Sequence, residues 1–335
     1  MVRERVAIIG AGSWGTTLAL VAARAGCAVT LYLRDAARAH EIATTRRNDR
    51  YLPGVELPTT IAIATDLAET CRNAALILLV APSQTIRENA RLLAPLVDQA
   101  IIVSAAKGLE RASFLRMTQV VREEFGSDTT PICALSGPNL ATEVAAGKPA
   151  ATVIAGPPAA TGRVRDLLTS AQFRCYTNED VIGVEFGGAM KNVIAIGAGI
   201  SDGLAAGDNA KAAIITRGLA EMARLGVAAG AHPLTFAGLA GLGDLIASCA
   251  SPLGRNRRVG EALAWGRRLP DIQAELNQVA EGIFTTEAAR EMGRRAGVEL
   301  PITEQLYAVM FEGKNPHEAI TNLMERELKD ELRHT

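Results

Sequence analysis

The first half of the chain alternates short runs of apolar and β-branched residues with segments of helical spacing. Seven of these runs are predicted as buried strands, at residues 6–9, 28–33, 76–81, 101–104, 132–135, 152–155 and 173–176. A helix that starts at a proline is predicted between the third and fourth runs, over residues 82–94. Strands that alternate with helices in this way form a parallel sheet with helices on both faces.

From about Asp180 the pattern changes, because strand-like runs disappear and Ala, Leu, Gly and charged residues recur at helical spacing. The sequence therefore predicts an α/β protein in which a doubly wound parallel sheet is followed by an all-helical C-terminal domain. We place the first domain at residues 1–183 and the second at residues 184–335. A length of 335 residues suits two domains of ordinary size.

The first predicted strand runs directly into Gly10, Gly12 and Gly15, and an apolar helical segment follows at residues 16–25. A G-x-G-x-x-G motif between a strand and a helix is the Rossmann fingerprint for a dinucleotide. Gly10 allows the turn, Gly12 lets the backbone approach a pyrophosphate, and Gly15 lets the helix pack against the strand. The phosphates would meet free N–H groups at the positive end of the helix. We therefore expect a Rossmann-like N-terminal domain.

The same stretch can also be interpreted as a secretory signal peptide. Arg3 and Arg5 precede an apolar core, and small residues follow at Ala22 and Ala23. Three glycines inside that core argue against this interpretation, as does the second strand that follows immediately.

The composition is that of an ordinary globular protein, with 48% hydrophobic residues, 21% charged residues and a formal net charge of −1. This balance gives no field that would recruit nucleic acid or an anionic membrane. No apolar run reaches the roughly 20 residues of a transmembrane helix, since charged residues and Gly/Pro clusters interrupt each candidate. We expect a cytoplasmic protein with no nucleic-acid partner and no stable membrane insertion.

The five cysteines and four histidines show no metal or redox pattern. The cysteines are odd in number, widely spaced and without a C-x-x-C pair. The histidines are isolated in helical or turn sequence. We expect buried, reduced thiols and no bound metal.

The residues after the second predicted strand bear on the choice of cofactor. An acidic residue there favours NAD, whereas an arginine can accommodate the 2′-phosphate of NADP. Both residue types occur here, since Arg34 favours NADP and Asp35 favours NAD. The nearby Arg46 and Arg47 favour NADP with tolerance of NAD. A solvated Arg–Asp pair at a helix start is the alternative.

Lysine is scarce, with six residues against 29 arginines, yet Lys107 and Lys191 both lie in apolar, glycine-rich sequence. If the segment around Lys191 is helical, its face is mostly small, with Gly187, Gly188 and Ala195 as neighbours. Such a face either leaves room for a substrate or lets two backbones pack closely. A partly desolvated lysine has a lowered pKa, which suits general acid–base chemistry.

Asp244 has a similar setting, G-L-A-G-L-G-D-L-I-A-S, with small neighbours at helical spacing. Burying an unpaired carboxylate is costly, so a lysine across a cleft is one expected partner. A carboxylate stabilised at a helix N-terminus is the alternative.

Further along, Gly254 precedes the basic cluster R-N-R-R at residues 255–258, which is predicted to open a helix. Arginine guanidinium groups and the free backbone N–H groups at the start of a helix both bind phosphate well. The alternative is that the basic turn is simply exposed to solvent.

These motifs together resemble the bacterial-type NAD(P)-dependent glycerol-3-phosphate dehydrogenase family. The resemblance covers nearly the whole chain and rests on ten motifs in order. They are G-A-G-S-W-G-T at 10–16, N-D-R-Y-L-P-G at 48–54, A-A-K-G-L at 105–109, S-G-P-N-L-A at 136–141, K-N-V-I-A-I at 191–196, I-T-R-G-L-A-E at 215–221, G-L-A-G-L-G-D-L at 238–245, R-N-R-R at 255–258, V-A-E-G at 279–282 and L-P-I at 300–302.

The resemblance implies an active site between the two domains. The residues implied to contact the dinucleotide are Gly10, Gly12, Ser13, Trp14, Gly15, Arg34, Lys107, Ala141, Arg255, Val279 and Glu281. Those implied to surround the sugar phosphate are Lys107, Gly137, Asn139, Lys191, Asp244, Gly254, Arg255 and Asn256. Asn139 stands where the family more often has Ser or Thr, and Gly254 where Ser is common. Asparagine can still donate a hydrogen bond, whereas Gly254 offers only backbone groups.

The activity that the resemblance implies is reversible hydride transfer between NAD(P)H and dihydroxyacetone phosphate, which supplies sn-glycerol 3-phosphate for phospholipids. Lys191 matches the family's proton donor and acceptor. Asp244 would hold Lys191 in place, and Lys107 would add positive charge beside the carbonyl oxygen. Arg255 and Asn256 would clamp the phosphate. The resemblance also suggests a homodimer.

Two other functions stay open on the sequence. One is a reductase of the ketopantoate or β-hydroxyacid type, which also joins a Rossmann domain to a helical domain. The Arg255–Asn256 pair favours a phosphate over a carboxylate substrate. The other is a non-catalytic NAD(P)-binding protein, against which Lys191 and Asp244 argue.

Overall fold

The computed structural model describes residues 3–126, 129–276, 279–327 and 330. Within these residues, eight strands form one sheet in the order β3-β2-β1-β4-β5-β6-β7-β8. They are β1 (Arg5–Ile9), β2 (Ala28–Tyr32), β3 (Ile61–Ala64), β4 (Leu76–Leu79), β5 (Ile101–Ser104), β6 (Ile132–Ser136), β7 (Ala150–Ala155) and β8 (Phe173–Asn178). The doubly wound sheet predicted from the sequence is confirmed, and it is parallel except at one pair.

Helices cover both faces of the sheet and form nearly all of the regular structure after it. Those of the first half are α1 (Ser13–Arg24), α2 (Ala36–Thr45), α3 (Leu67–Cys71), α4 (Ile86–Leu93), α5 (Met117–Phe125), α6 (Ala141–Ala145) and α7 (Pro158–Leu168). Those of the second half are α8 (Val181–Gly203), α9 (Asp208–Ala228), α10 (Asp244–Ala250), α11 (Arg255–Ala264), α12 (Leu269–Glu275), α13 (Glu281–Ala296), α14 (Pro301–Phe311) and α15 (Pro316–Met324).

The sheet contains one strand, β3, that the sequence pattern did not predict. It has four residues and lies at the edge of the sheet, where it pairs with β2. Its sequence alternates Ile with Ala and lacks the continuous run of large apolar residues found in β4 and β5, so the tertiary pairing decides its conformation.

The pair β6–β7 is antiparallel, which corrects the expectation of a wholly parallel sheet. The connection between the two strands contains only α6, a five-residue helix. Such a helix rises about 7.5 Å, whereas a six-residue strand spans about 20 Å. The described connection has no long crossover helix to return the chain to the opposite edge, so β7 starts beside the end of β6 and runs back along it. Strand β8 pairs with β7 in parallel, so both end at the edge opposite to the carboxyl ends of β1–β6.

Helix α8 is the central helix of the second half and packs against α9, α10, α11 and α13. It begins at an Asp180 cap, whose carboxylate accepts from the Gly183 N–H at 2.8 Å. By length and composition alone, α8 is apolar enough to cross a membrane, contrary to the sequence expectation that no segment is. However, 83% of its apolar window is buried inside the protein, so it is the core helix of this half.

The loop between β5 and α5 belongs to both halves. Leu109 lies five residues after β5, yet it is fully buried in the helical core, and Phe114 packs against the same core. Arg111 bridges to Glu287 of α13 at 3.0 Å. The loop that carries Lys107 is therefore anchored on the helices as well as on the sheet.

Candidate active site

The glycine loop after β1 has the geometry that its motif predicts. Gly10 has a φ of +112°, and a Cβ there would lie 2.2 Å from the Val80 carbonyl oxygen. A Cβ on Gly15 would lie 1.8 Å from the Gly10 carbonyl oxygen, so only glycine allows this approach of helix to strand. A Cβ on Gly12, by contrast, would meet no atom within 4 Å. The open face over Gly12, at the N-terminus of α1, fits a dinucleotide phosphate.

Asn48 supports this loop, a role that the sequence analysis did not assign. Its side-chain amide donates to the Ala11 carbonyl at 3.0 Å and to the Thr16 hydroxyl at 2.8 Å. Arg38 donates in turn to the Asn48 carbonyl oxygen at 3.2 Å. The N-D-R-Y motif was the signal that could have indicated this role.

Ser13 and Trp14 open α1, next to the glycines. The Trp14 ring lies 6.5 Å from that of Phe173, and its indole N–H is buried without a partner among the described residues. The carbonyl of Ala141 accepts from Thr17 of α1 at 3.2 Å, so α6 and α1 meet beside the loop. These positions suit the cofactor contacts that the resemblance implies.

The arginines near the end of β2 differ in their availability. Arg34 is half exposed and pairs with Glu88 at 3.1 Å. Arg46 donates to backbone carbonyls, including that of Ile61 at 2.8 Å, and Arg47 pairs with Asp49 at 2.9 Å. Arg46 is thus held by backbone carbonyls, whereas Arg34 and Arg47 each form a half-exposed ion pair.

Lys107, Lys191 and Asp244 come together between the sheet and the helices. Lys107 Nζ lies 2.6 Å from Asp244 Oδ2, and Lys191 Nζ lies 2.9 Å from Asp244 Oδ1. Their side chains are 16%, 11% and 3% exposed for Lys107, Lys191 and Asp244 respectively. The expected contact between Lys191 and Asp244 is present, and Lys107 shares the same carboxylate.

Burial and charge together shift the pKa values of Lys107 and Asp244. Burial lowers the pKa of Lys107 to about 8, since desolvation outweighs the attraction of Asp244 and the like charge of Lys191 acts in the same direction. Burial alone would raise the pKa of Asp244, but the two ammonium groups hold it below its usual value. At neutral pH the site therefore contains an ionised carboxylate beside an easily deprotonated lysine.

Glycines on α8 allow this assembly. A Cβ on Gly187 would lie 2.5 Å from the Ala240 carbonyl oxygen, and one on Gly188 would lie 2.6 Å from the Ser136 hydroxyl. A π-helical turn, Leu239–Gly243, approaches α8 there and leads into α10, which Asp244 begins. Asp244 continues the helical turn that precedes it, and its carboxylate pairs with the two lysines. At Gly187 and Gly188, the small-residue face beside Lys191 serves close backbone packing.

Two further polar residues complete the surroundings of Lys191 and escaped the sequence analysis. Lys191 donates to the Ser248 hydroxyl at 2.6 Å. Asn192 is buried, donates to the Lys107 carbonyl at 3.2 Å and accepts from Asn256 at 2.9 Å. Ser248 lies one helical turn after Asp244, and this spacing was the available signal.

The turn after β6 lies against Lys107. The Gly137 carbonyl accepts from Lys107 Nζ at 2.9 Å, and Gly137 has a φ of +149°. Asn139 donates to the Ala151 carbonyl at 2.9 Å, while its own side-chain oxygen is buried without a protein partner. One of the N–H groups that Asn139 was expected to offer a substrate is therefore already in use.

The basic turn begins α11, with Gly254 as its cap. Arg255 is exposed and donates to the Val279 carbonyl at 2.8 Å through one nitrogen. Asn256 accepts from the Gly282 N–H at 3.1 Å besides donating to Asn192. Arg255 keeps N–H groups for an anion, whereas Asn256 mainly ties α11 to its neighbours.

Comparison with known proteins was made on the whole chain. The family model described as NAD-dependent glycerol-3-phosphate dehydrogenase N-terminus matches residues 5–161, and the model for the C-terminus matches residues 180–321. The chain is 46% identical over 330 residues to a glycerol-3-phosphate dehydrogenase (NAD(P)+) of Thermoanaerobacter sp. strain X514, covering 98% of this chain and 99% of that protein. It is 48% identical over 331 residues to the protein of the same name from Geobacter sulfurreducens, with coverage of 98% and 99%.

A solved structure agrees with these relatives. The crystal structure of a glycerol-3-phosphate dehydrogenase from Coxiella burnetii is 40% identical, superposes with a TM-score of 0.91, and covers 97% of this chain and 99% of its own. Both halves of the chain therefore match in sequence and in fold, and the chain belongs to the NAD-dependent glycerol-3-phosphate dehydrogenase family.

Proposed function

We propose that this chain catalyses the reversible reduction of dihydroxyacetone phosphate to sn-glycerol 3-phosphate with NAD(P)H. The observation that carries the proposal is the contact of Lys107 and Lys191 with the single carboxylate of Asp244. Two ammonium groups so held can meet a carbonyl oxygen whose negative charge grows as the ketone is reduced. Membership of the family favours this substrate over the ketopantoate type and over a non-catalytic role.

When bound, the dinucleotide supplies a hydride from its nicotinamide C4 to the ketone carbon. The chain's residues would hold it along the open face of Gly12 and the start of α1, with Ser13, Trp14 and Ala141 beside it. Arg34, which follows β2, would meet a 2′-phosphate, so we propose use of NADP as well as NAD.

Lys191 would donate a proton to the forming alkoxide and remove it in the reverse direction. Asp244 orients Lys191 through the 2.9 Å contact, and Ser248 holds the same ammonium at 2.6 Å. Lys107 would stay beside the substrate oxygen as a positive charge. Because this trio is largely buried, its electrostatic interactions act in a medium of lower dielectric than water.

The phosphate of the substrate would bind near the start of α11. Arg255 is the main candidate, since it retains N–H groups beyond the one that bonds Val279. Gly254 precedes Arg255 as the helix cap, with its N–H bonded to the Ser251 carbonyl at 3.1 Å. Gly137 and Asn139 would border the substrate from the sheet side. Asn256 would act mainly by holding Asn192 and the start of α13 in place.

We further propose that residues 1–183 bind the cofactor and residues 184–335 select the substrate. A cytoplasmic enzyme that supplies glycerol phosphate for phospholipids fits this role. We also propose a homodimer, for which sedimentation equilibrium at micromolar concentration is the direct measurement.

The test is NADPH oxidation by the purified chain with dihydroxyacetone phosphate, followed at 340 nm, with ketopantoate and no substrate as controls. We expect turnover with dihydroxyacetone phosphate only. Turnover with ketopantoate alone, or NADPH binding without turnover of either compound, would support one of the two alternative functions instead.

A further inference from the structure

Ser83 and Glu281 join the two halves of the chain beside the Lys107 loop. Glu281 is the first residue of α13, and Ser83 is the first residue of the 3-10 turn after β4. The Ser83 N–H donates to Glu281 Oε1 at 2.9 Å, and the Ser83 hydroxyl donates to Glu281 Oε2. We name this contact the Ser83–Glu281 clasp, in which one serine engages both oxygens of a carboxylate.

The surroundings of the carboxylate give the clasp its strength. Burial raises the pKa of Glu281, and the two hydrogen bonds from Ser83 oppose that rise. Ser83 itself is 2% exposed, so water does not compete for the contact. Hydrogen bonds to an ionised group in such a setting are stronger than those between neutral groups.

Gln84 extends the clasp to the loop that follows Lys107. Its side-chain amide donates to the Ser83 hydroxyl at 3.0 Å and to the Leu109 carbonyl at 2.8 Å, and its oxygen accepts from the Arg111 N–H at 3.0 Å. A Cβ on Gly108 would lie 2.7 Å from the Ser83 hydroxyl oxygen, so the loop passes directly against the clasp.

The other side of the Lys107 backbone is tied to the helices. The Lys107 carbonyl accepts from Asn192, which accepts from Asn256, which accepts from the Gly282 N–H. Because Gly282 follows Glu281 in the chain, these hydrogen bonds and the clasp form a closed circuit around the Lys107 loop.

We propose that Ser83 is a positioning residue, which acts through Glu281 to place Lys107 on the carboxylate of Asp244. Ser83, which follows β4, binds the start of α13 through Glu281. The Lys107 loop passes between these two elements and is held by them. Loosening the clasp lets Lys107 move away from Asp244 and Lys191. The inference rests on the proposed function for its kinetic readout.

The experiment compares Ser83→Ala, Glu281→Ala and the double variant with the parent. The matched control is Ser113→Ala, because Ser113 also donates to a glutamate, Glu110, but within its own loop. We expect Ser83→Ala to lower kcat for dihydroxyacetone phosphate about ten-fold, as for loss of one charged hydrogen bond, with the KM for NADPH within two-fold. In the Glu281→Ala background the same substitution should change kcat less than two-fold.

Hydrogen–deuterium exchange of residues 108–112 gives a readout independent of turnover. Residues 113–116 are left out, because Ser113→Ala itself removes the acceptor of the Leu115 N–H. We expect several-fold faster exchange there in Ser83→Ala and parent-like exchange in Ser113→Ala, with thermal unfolding confirming that both fold. The inference is overturned if Ser83→Ala behaves like Ser113→Ala in kcat and exchange, or if its effect persists without Glu281. If the parent itself does not reduce dihydroxyacetone phosphate, the proposed function fails. Hydrogen–deuterium exchange then decides by itself whether the Ser83–Glu281 clasp positions the Lys107 loop.

Discussion

Lys107 and Lys191 bind opposite oxygens of one carboxylate, that of Asp244, at 2.6 and 2.9 Å. Lys107 comes from the carboxyl end of a strand, and Lys191 from the middle of the central helix. Neither ammonium could be buried beside the other without this shared counter-charge. The division of labour between the two lysines is therefore the first property to test.

Lys191→Ala should lower kcat by about 10²- to 10⁴-fold, the usual contribution of a general acid, while NADPH still binds. The control is Lys148→Ala, because Lys148 is exposed and pairs with Glu143 at the surface. Steady-state kinetics and fluorescence titration with NADPH measure the two effects. Near-normal turnover of Lys191→Ala would remove Lys191 from the proton-transfer step.

The pH dependence of activity should report on Lys107. Its pKa of about 8 lies below the ordinary 10.5, so its charge is lost as pH rises through 8. We expect kcat/KM for dihydroxyacetone phosphate to fall above about pH 8. The residual activity of Lys107→Met should lack this decline, and an identical alkaline limb in that variant would assign it to another group.

The same shift has a consequence for stability, with a defined sign. Between about pH 8 and 10.5 the unfolded chain retains the Lys107 proton and the folded chain does not. The free energy of unfolding contributed by Lys107 therefore rises with pH across this window. Urea unfolding of the parent and of Lys107→Met at pH 8 and pH 10 measures this contribution. From pH 8 to pH 10, the free energy of unfolding of the parent should rise relative to that of Lys107→Met.

Gly187→Ala should separate packing from chemistry. The new Cβ would lie 2.5 Å from the Ala240 carbonyl oxygen, so α8 and the π-helical turn must move apart. We expect a loss of about 1–3 kcal/mol in the free energy of unfolding and a lower kcat, because Asp244 follows that turn. Gly162→Ala on α7 is the control, since its Cβ meets no atom within 4 Å. It should gain up to about 1 kcal/mol from helix propensity. Equal stability of the two variants would contradict the close approach at Gly187.

Arg34→Ala should alter the choice of cofactor. Arg34 is half exposed, and its partner Glu88 is itself exposed, so its guanidinium can turn to a phosphate at little cost. We expect kcat/KM for NADPH to fall about ten-fold and that for NADH to change less than two-fold. Arg47→Ala is the control, because Arg47 donates to both carboxylate oxygens of Asp49. Parallel changes for the two cofactors would exclude Arg34 from the 2′-phosphate site.

The sequence predicted those features that depend on residues close together in the chain. The strand, glycine loop and helix of the cofactor site follow from the twenty consecutive residues 6–25, and the helical half follows from its spacing. The reversal at β7 was not predictable, because it depends on how far α6 carries the chain. Edge strand β3 was missed for the same kind of reason, since its pairing with β2 decides its conformation.

For the site, local sequence indicated isolated groups but not their partners. Lys191 and Asp244 stood out as charges in small-residue surroundings, and their contact was expected. That Lys107 shares the carboxylate, and that Ser83 meets Glu281, depends on packing across the two halves. Basic character at residues 46 and 47 did not show which backbone carbonyls or carboxylates these arginines contact.

The burial of Leu109 in the helical core has a consequence for how the protein is made. Ribosomes release a chain from its N-terminus, so the sheet can form while the helices that receive Leu109 are still unsynthesised. Until α8 emerges, Lys107 lies on a loop with an exposed apolar residue and without the hydrogen bond from Asn192 to its carbonyl. The glycine loop after β1 can thus form early in synthesis, whereas Lys107, Lys191 and Asp244 come together only after α10 has been translated.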